Sequence, residues 1–304
     1  MVSKSRPYVG VSGVYSAEEA RNVASLMHGS GFTMQAGHVP MMGFQVSWRS
    51  LDFGFSEGNN RVPRLDSLPQ ILEAISGEVF PTIHYYTKRP DRLVQEIERV
   101  TGILERSTLL KVLLSMRVLE DMKVQNSMSS PVLAIERVLE YESIYDSGLV
   151  GGVQINGAFP EPDSVEELRN SYPSLKLALQ VNPGTMEIET MAKTLAGYYK
   201  GLDYVLFDSS GGRGLELDVG RIAAAYRALK DSGSEAGVVF AGGLAGGNVT
   251  HKIKLLAEAI GERGFSIDAE GGLRDRVGEG YGNDMLNMDK VASYLRGASE
   301  ALLG

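Results

Sequence analysis

Three short apolar runs in this chain end on acids or glycines. Tyr204–Phe207 stops on Asp208, followed by two serines and Gly211-Gly212-Arg213-Gly214. Val238–Phe240 leads into Ala241-Gly242-Gly243-Leu244, and Phe265–Ile267 into Asp268-Ala269-Glu270-Gly271-Gly272. An apolar run of this length suits a strand buried on both faces. A carboxyl group where such a strand emerges is placed for proton transfer, and burial would raise its pKa and make it a donor. The glycines let backbone N–H groups approach an anion such as phosphate, and Gly211, Gly212, Gly242, Gly243, Gly271 and Gly272 are the candidates. Each could instead be a tight turn, and Asp208 a helix cap or a partner of Arg213. Glu270 places an anion among the phosphate candidates. It is read either as neutralised by Arg213 or Arg274, or as a general base.

Other polar residues fall near the same strand ends. Gln154 and Asn156 alternate on one side of their strand, so both should face one mouth, where amides suit sugar hydroxyls. Asp268 serves either substrate or a loop. Arg49, beside Trp48, could close over an aromatic carboxylate, since arginine makes bidentate contacts and tryptophan stacks on rings. His84 and His38 are read at the ends of the third and second strands. With Asp208, Asp268 or Glu270 they could hold a divalent ion, the basis of a rival metal-assisted lyase or aldolase reading. No His-x-x-x-His or His-x-His spacing supports it, so no metal and no cofactor is assigned.

These residues need a frame. The chain has 304 residues, 43% hydrophobic and 22% charged, enough for a large core. The net charge of −8 argues against nucleic acid or an anionic membrane as partner and leaves a small anionic ligand open. There is no cysteine, which excludes disulfides, Cys–zinc sites and thiolate nucleophiles. Met1–Pro7 has no apolar signal core and no run is long enough for a membrane span, so a soluble cytoplasmic protein is expected. A homo-oligomer is possible.

Strands are expected at Tyr8–Val14, Phe32–Val39, Val79–Thr87, Gly151–Gly157 and Leu175–Val181, followed by the three runs already named. Between them lie helical patterns: one capped by Ser16 with Glu19 as a capping box, others at Asp66–Ser76, from Asp91, at Ser164–Tyr172, from Thr185, and near Val219, Asn248 and Asp289. Pro40–Leu65 reads as one long connection, and Arg106–Gly148 as extra helical material between the third and fourth strands. Eight strands alternating with helices, without hairpin chemistry, imply a parallel sheet. The expected fold is a single (β/α)₈ TIM barrel over residues 1–304, with a doubly wound open sheet as the alternative. Either fold binds ligands at the carboxyl ends of its strands.

Several of these segments resemble the phosphoribosylanthranilate isomerase family. Val205-Leu-Phe-Asp-Ser with Gly211-Gly-Arg-Gly is similar to the family's sixth-strand motif. Ala241-Gly-Gly-Leu with Asn248-Val249 resembles its seventh, and Ser266-Ile-Asp-Ala-Glu-Gly-Gly-Leu its eighth. Val153-Gln-Ile-Asn-Gly is similar to the fourth-strand Val-Gln-Leu-His-Gly, and Val9-Gly-Val-Ser-Gly-Val sits where the family has Lys-Ile-Cys-Gly-Ile. Order and spacing agree over Gly151–Arg274. The resemblance implies a barrel that isomerises a phosphoribosyl-amine sugar by an Amadori rearrangement, with the acid at Asp208. The family's base, a cysteine, is Ser12 here, its fourth-strand histidine is Asn156, and its first phosphate-loop serine is Glu270. A serine hydroxyl is far too weak an acid to replace a thiolate as base. Ser12 is therefore read as positioning substrate, with the base drawn from Glu270, His84 or Asp268. The expected function is proton transfer on a small phosphorylated, sugar-like metabolite. A non-catalytic metabolite-binding barrel is the other rival.

Overall fold

The computed structural model describes residues 5–47, 49, 52, 59–86, 88–100, 151–157, 159–183, 187–198, 201–208, 218–279 and 282–304. The expected helical segment at Arg106–Gly148 lies outside them, as do Trp48, Gly211, Gly212 and Arg213.

The elements run β1 (Tyr8–Ser12), α1 (Ala17–Gly29), β2 (Val39–Ser47), α2 (Leu68–Glu73) and β3 (Phe80–Tyr86), then a 3₁₀ turn at Pro90–Arg92 and helical residues 93–100 (α3). They continue with β4 (Gly152–Asn156), α4 (Pro162–Ser171), β5 (Lys176–Val181), α5 (Ile188–Ala196), β6 (Tyr204–Asp208) and α6 (Val219–Asp231). The last are β7 (Gly237–Ala241), α7 (Val249–Ile260), β8 (Ser266–Ala269), an antiparallel hairpin of β9 (Arg274–Arg276) and β10 (Asp284–Leu286), and α8 (Met288–Leu302). Strands β1 to β8 pair in parallel, each with the next, and β8 pairs back with β1, so the sheet closes. The chain is a (β/α)₈ barrel, and the open-sheet alternative falls.

Local chemistry sets the element ends. The Ser16 hydroxyl accepts from the Glu19 amide at 3.2 Å, and the Glu19 carboxylate reaches back to the Tyr15 amide at 3.2 Å, a capping box shifted by one residue. Asp218 caps α6 through the Arg221 amide at 3.0 Å. Alternation along each strand splits the core in two. Residues facing outward, such as Val9, Val11, Phe44, Ile83 and Phe240, pack under the helices. Residues facing inward fill the barrel below the mouth with Tyr8, Val39, Met41, Ala178, Tyr204, Leu206 and Val239, and Ala241 tops this cluster at the mouth. The rings of Tyr8 and Tyr204 meet edge-on with centroids 5.3 Å apart. A plugged floor leaves the carboxyl-end mouth as the place for chemistry.

One strand differs from expectation. β2 is Val39–Ser47, not Phe32–Val39, so eight residues read as the start of a long connection are sheet. Pro40 is tolerated because the neighbouring Val39 amide bonds towards β1, at Pro7 O. Alternation then turns Pro40 towards β3, one position ahead of the first β2–β3 pair, Met41–Phe80. The β9–β10 hairpin was also unexpected.

Candidate functional site

Register brings the polar ends of six strands to one mouth. Ser12 on β1 donates from Oγ to Asp268 Oδ1 on β8 at 2.7 Å, and both are buried. Asp208 ends β6, and its Oδ2 accepts from Gln180 Nε2 of β5 at 3.0 Å. Ala241 of β7 is the register partner of both Asp208 and Asp268. The two acids therefore stand two strands apart, roughly 10 Å at the backbone, with only a methyl group between them. His84 on β3 is the register partner of Gln154 on β4. Gln154 Nε2 donates to Asn156 Oδ1 at 3.1 Å, as expected for two residues on one side of a strand.

Asp268 is the perturbed acid of this set. Burial pushes its carboxyl up to about 7, the Ser12 hydroxyl pulls the other way, and the nearby carboxylates of Glu270 and Asp208 push it further up. Burial alone takes the His84 imidazole down to about 4, so it is neutral at physiological pH. The behaviour expected of a buried strand-end acid is thus found at Asp268.

Glu270 is tied down at the β1–β2 side. Its Oε1 accepts from Gln45 Nε2 at 2.7 Å and from Arg61 Nη1 at 2.8 Å. Arg61 also grips Asp284 of β10. Arg274 donates to Asp284 Oδ1 at 2.6 Å, to Gly13 O at 3.0 Å and to Asn60 O at 2.6 Å. The arginine that neutralises Glu270 is thus Arg61, while Arg274 serves Asp284. Burial works to raise the Asp284 carboxyl, and the two guanidiniums outweigh it and hold it below the ordinary range.

The glycine turns lie on the same rim. Gly242 and Gly243 follow β7 with φ of 107° and 64°, values side chains rarely adopt. A Cβ on Gly272 would lie 2.3 Å from Leu244 O, so the turn after β8 packs directly on the turn after β7. Turn geometry requires glycine at Gly242 and Gly243, and packing requires it at Gly272, whatever the turns bind. Gly271 opens the short 3₁₀ turn Gly271–Leu273. Arg49 is exposed just past the carboxyl end of β2.

The two histidines separate. His38 precedes β2, at the amino-end rim, and its Nε2 lies 3.1 Å from Phe265 O, just ahead of β8. His84 faces the opposite half of the barrel, so the expected His38–His84 pairing fails. Among the described residues no group of three or more His, Cys, Asp or Glu side chains could hold a metal ion. No described helix is long and apolar enough to cross a membrane.

Sequence reasoning missed Gln45, Thr82, Gln180 and Asp284. Gln45 was hidden by the misplaced β2. Gln180 was legible as the one polar side chain between Leu179 and Val181 in a buried strand. Asp284 had no signal, because its role comes from Arg61, 223 positions away, and from Arg274 across a hairpin that the sequence did not announce.

No family model matches the sequence, and no curated protein matches it. Solved structures do. Phosphoribosyl anthranilate isomerase from Thermus thermophilus aligns with a TM-score of 0.54 at 17% identity, over 97% of this chain and 98% of that one. N-(5'-phosphoribosyl)anthranilate isomerase from Pyrococcus furiosus gives 0.51 at 16%, over 97% and 99%. Tryptophan synthase subunit alpha from Legionella pneumophila str. Paris gives 0.53 at 9%, over 97% and 92%. At these identities the likeness is one of fold: the chain shares its (β/α)₈ barrel with two isomerases and a synthase subunit.

Proposed function

We propose that this barrel is an acid/base enzyme, an intramolecular isomerase acting on a small, sugar-like, phosphorylated metabolite. The observation that supports it is the Asp268 carboxyl, buried in the mouth, bonded to Ser12 and poised near neutral pH, across from Asp208. A base works best with a pKa near the working pH. Of the three candidates for that role, Glu270 is committed to Arg61 and His84 titrates too low, which leaves Asp268. Through Ser12 it acts where the resemblance places a first-strand base. Asp268 takes a proton from a substrate carbon while Asp208 gives one to the adjacent oxygen. The enediol so formed collapses as Asp268 returns its proton to the neighbouring carbon and Asp208 takes back a proton from the hydroxyl on the carbon first deprotonated, which becomes the new carbonyl. The phosphate lies at the Gly242–Gly243 turn, at the head of α7, where the helix dipole favours an anion.

The direct test is turnover of phosphoribosylanthranilate, with Asp268→Asn and Asp208→Asn as controls. Each control should lose about 10²-fold or more. Activity no higher than in the controls retires this reaction. Tight binding of a sugar phosphate without turnover would instead favour the metabolite-binding barrel, to which Ser12 and Asn156 lend weight.

A further inference from the structure

On the β3–β4 side of the barrel, three buried polar atoms have no hydrogen-bond partner among the described residues: Thr82 Oγ1, His84 Nε2 and Gln154 Oε1. Their residues are 4%, 3% and 3% exposed. An unpaired buried polar group loses its hydration with nothing in return, and such groups are rare enough that three neighbours need a reason. They are neighbours by register: His84 pairs with Gln154, and Thr82 sits two residues before His84 on the same side of β3. The backbone around them is kept narrow. Both register partners of Thr82, Gly43 and Gly152, lack side chains. A Cβ on Gly43 would lie 2.5 Å from Ser12 Oγ and 2.7 Å from His84 Nε2, so this glycine is what lets the imidazole lie beside the Ser12–Asp268 pair.

The chemistry of the three atoms limits what completes them. Gln154 Oε1 only accepts, so the missing group must donate. The Thr82 hydroxyl both donates and accepts. The imidazole carries no charge at neutral pH, so nothing here compensates an anion. A hydroxyl meets every demand, whereas a phosphate or carboxylate meets none at Gln154.

We propose that Thr82, His84 and Gln154 form a subsite for the uncharged, hydroxyl-bearing end of the ligand, a polyol or the carbinol face of a sugar. This rests on the reading of the mouth as a small-molecule site. The ligand's anionic end then lies away from β3–β4. The three atoms are closed off from solvent in the free protein. Binding therefore entails local rearrangement, and the unpaired groups lower its cost because their penalty is relieved only when the ligand arrives.

The test uses the whole chain and ribitol as probe. Thr82→Val removes an unpaired polar atom at nearly constant shape, and Gln154→Leu removes another together with the hydrogen bond to Asn156. Thr82→Val should raise the Tm of the free protein by about 2 °C, and each variant should weaken ribitol binding about tenfold, while Thr82→Ser restores binding. The His84 Nε2 resonance should move on ribitol addition and not on addition of inorganic phosphate. A lower Tm in both variants would mean that the atoms serve the fold, and would overturn the proposal. So would absence of ribitol binding, ribitol binding that both variants leave unchanged, or propylamine binding in ribitol's place. Ribitol binding without isomerase turnover retires the catalytic reading and leaves the subsite standing. Turnover indifferent to both variants does the reverse.

Discussion

Replacing Asp268 by asparagine should stabilise this protein at neutral pH and above, by a margin that grows as pH rises from about 5. An unfolded aspartate titrates near 3.9, while the folded Asp268 carboxyl is pushed up to about 7. Between those values the native chain holds a proton that the unfolded chain has released. Stability therefore falls with rising pH across this window, by about 1.4 kcal/mol per unit, and flattens above pH 7. From pH 5 to pH 8 the loss assignable to this carboxyl is about 3 kcal/mol. Asparagine keeps the shape and can still meet the Ser12 hydroxyl, but it has no proton to lose. Urea unfolding of both proteins at several pH values would measure the difference directly. The wild type should match or exceed the variant near pH 5 and fall behind it by about 3 kcal/mol at pH 8. A ¹³C titration of the Asp268 carboxyl should show the same midpoint. A stability difference constant across this range, or a midpoint near 4, would refute the account of the site as a low-dielectric mouth with crowded carboxylates.

Ser12→Ala removes the donor that holds Asp268 down, so the ¹³C midpoint should move further up, with a stability loss of about 1 kcal/mol. Gly10→Ala would place a Cβ 2.6 Å from Asp268 Oδ1 and from Met41 Cε; thermal unfolding should report a loss of about 1–3 kcal/mol from overpacking. Arg61→Met leaves Glu270 and Asp284 without their shared guanidinium and should cost about 3–5 kcal/mol in denaturant unfolding. Asp284 behaves oppositely to Asp268. Its carboxyl is held low by Arg61 and Arg274 against burial, so the stability it contributes is present above the unfolded value and is lost as pH falls through the folded one. An acid titration of unfolding should lose this contribution in Asp284→Asn.

The parts of the fold that the sequence disclosed are those with a local cause. The buried runs at Tyr204–Asp208 and Gly237–Ala241 bury both faces of the sheet, and the Ser16 cap and Asn248 mark helix starts within a residue. β2 was lost because Pro40 and Gly43 break its pattern, and both are explained only by neighbours: the β3 register for Pro40, the Ser12 and His84 side chains for Gly43. The site divides the same way. That Asp208 and Asp268 share a mouth follows from strand order, which alternation revealed. That Asp268 is the raised carboxyl depends first on its burial, and then on Glu270 and Asp208 converging on it from the turn after β8 and from β6. No spacing in the chain encodes such convergence.

The closure of the sheet joins the two halves of the chain through a thin seam. Three residue pairs connect β1 to β8, where seven connect β2 to β3. Over that seam Arg274 reaches Gly13, 261 positions away, and Arg61 reaches Glu270, 209 positions away. Bringing such distant segments together carries a large loop-closure entropy, and here side-chain charge reinforces what a short ladder provides. The ring is fastened by a clasp, and acid, which neutralises one half of that clasp, should spring it before the longer ladders part.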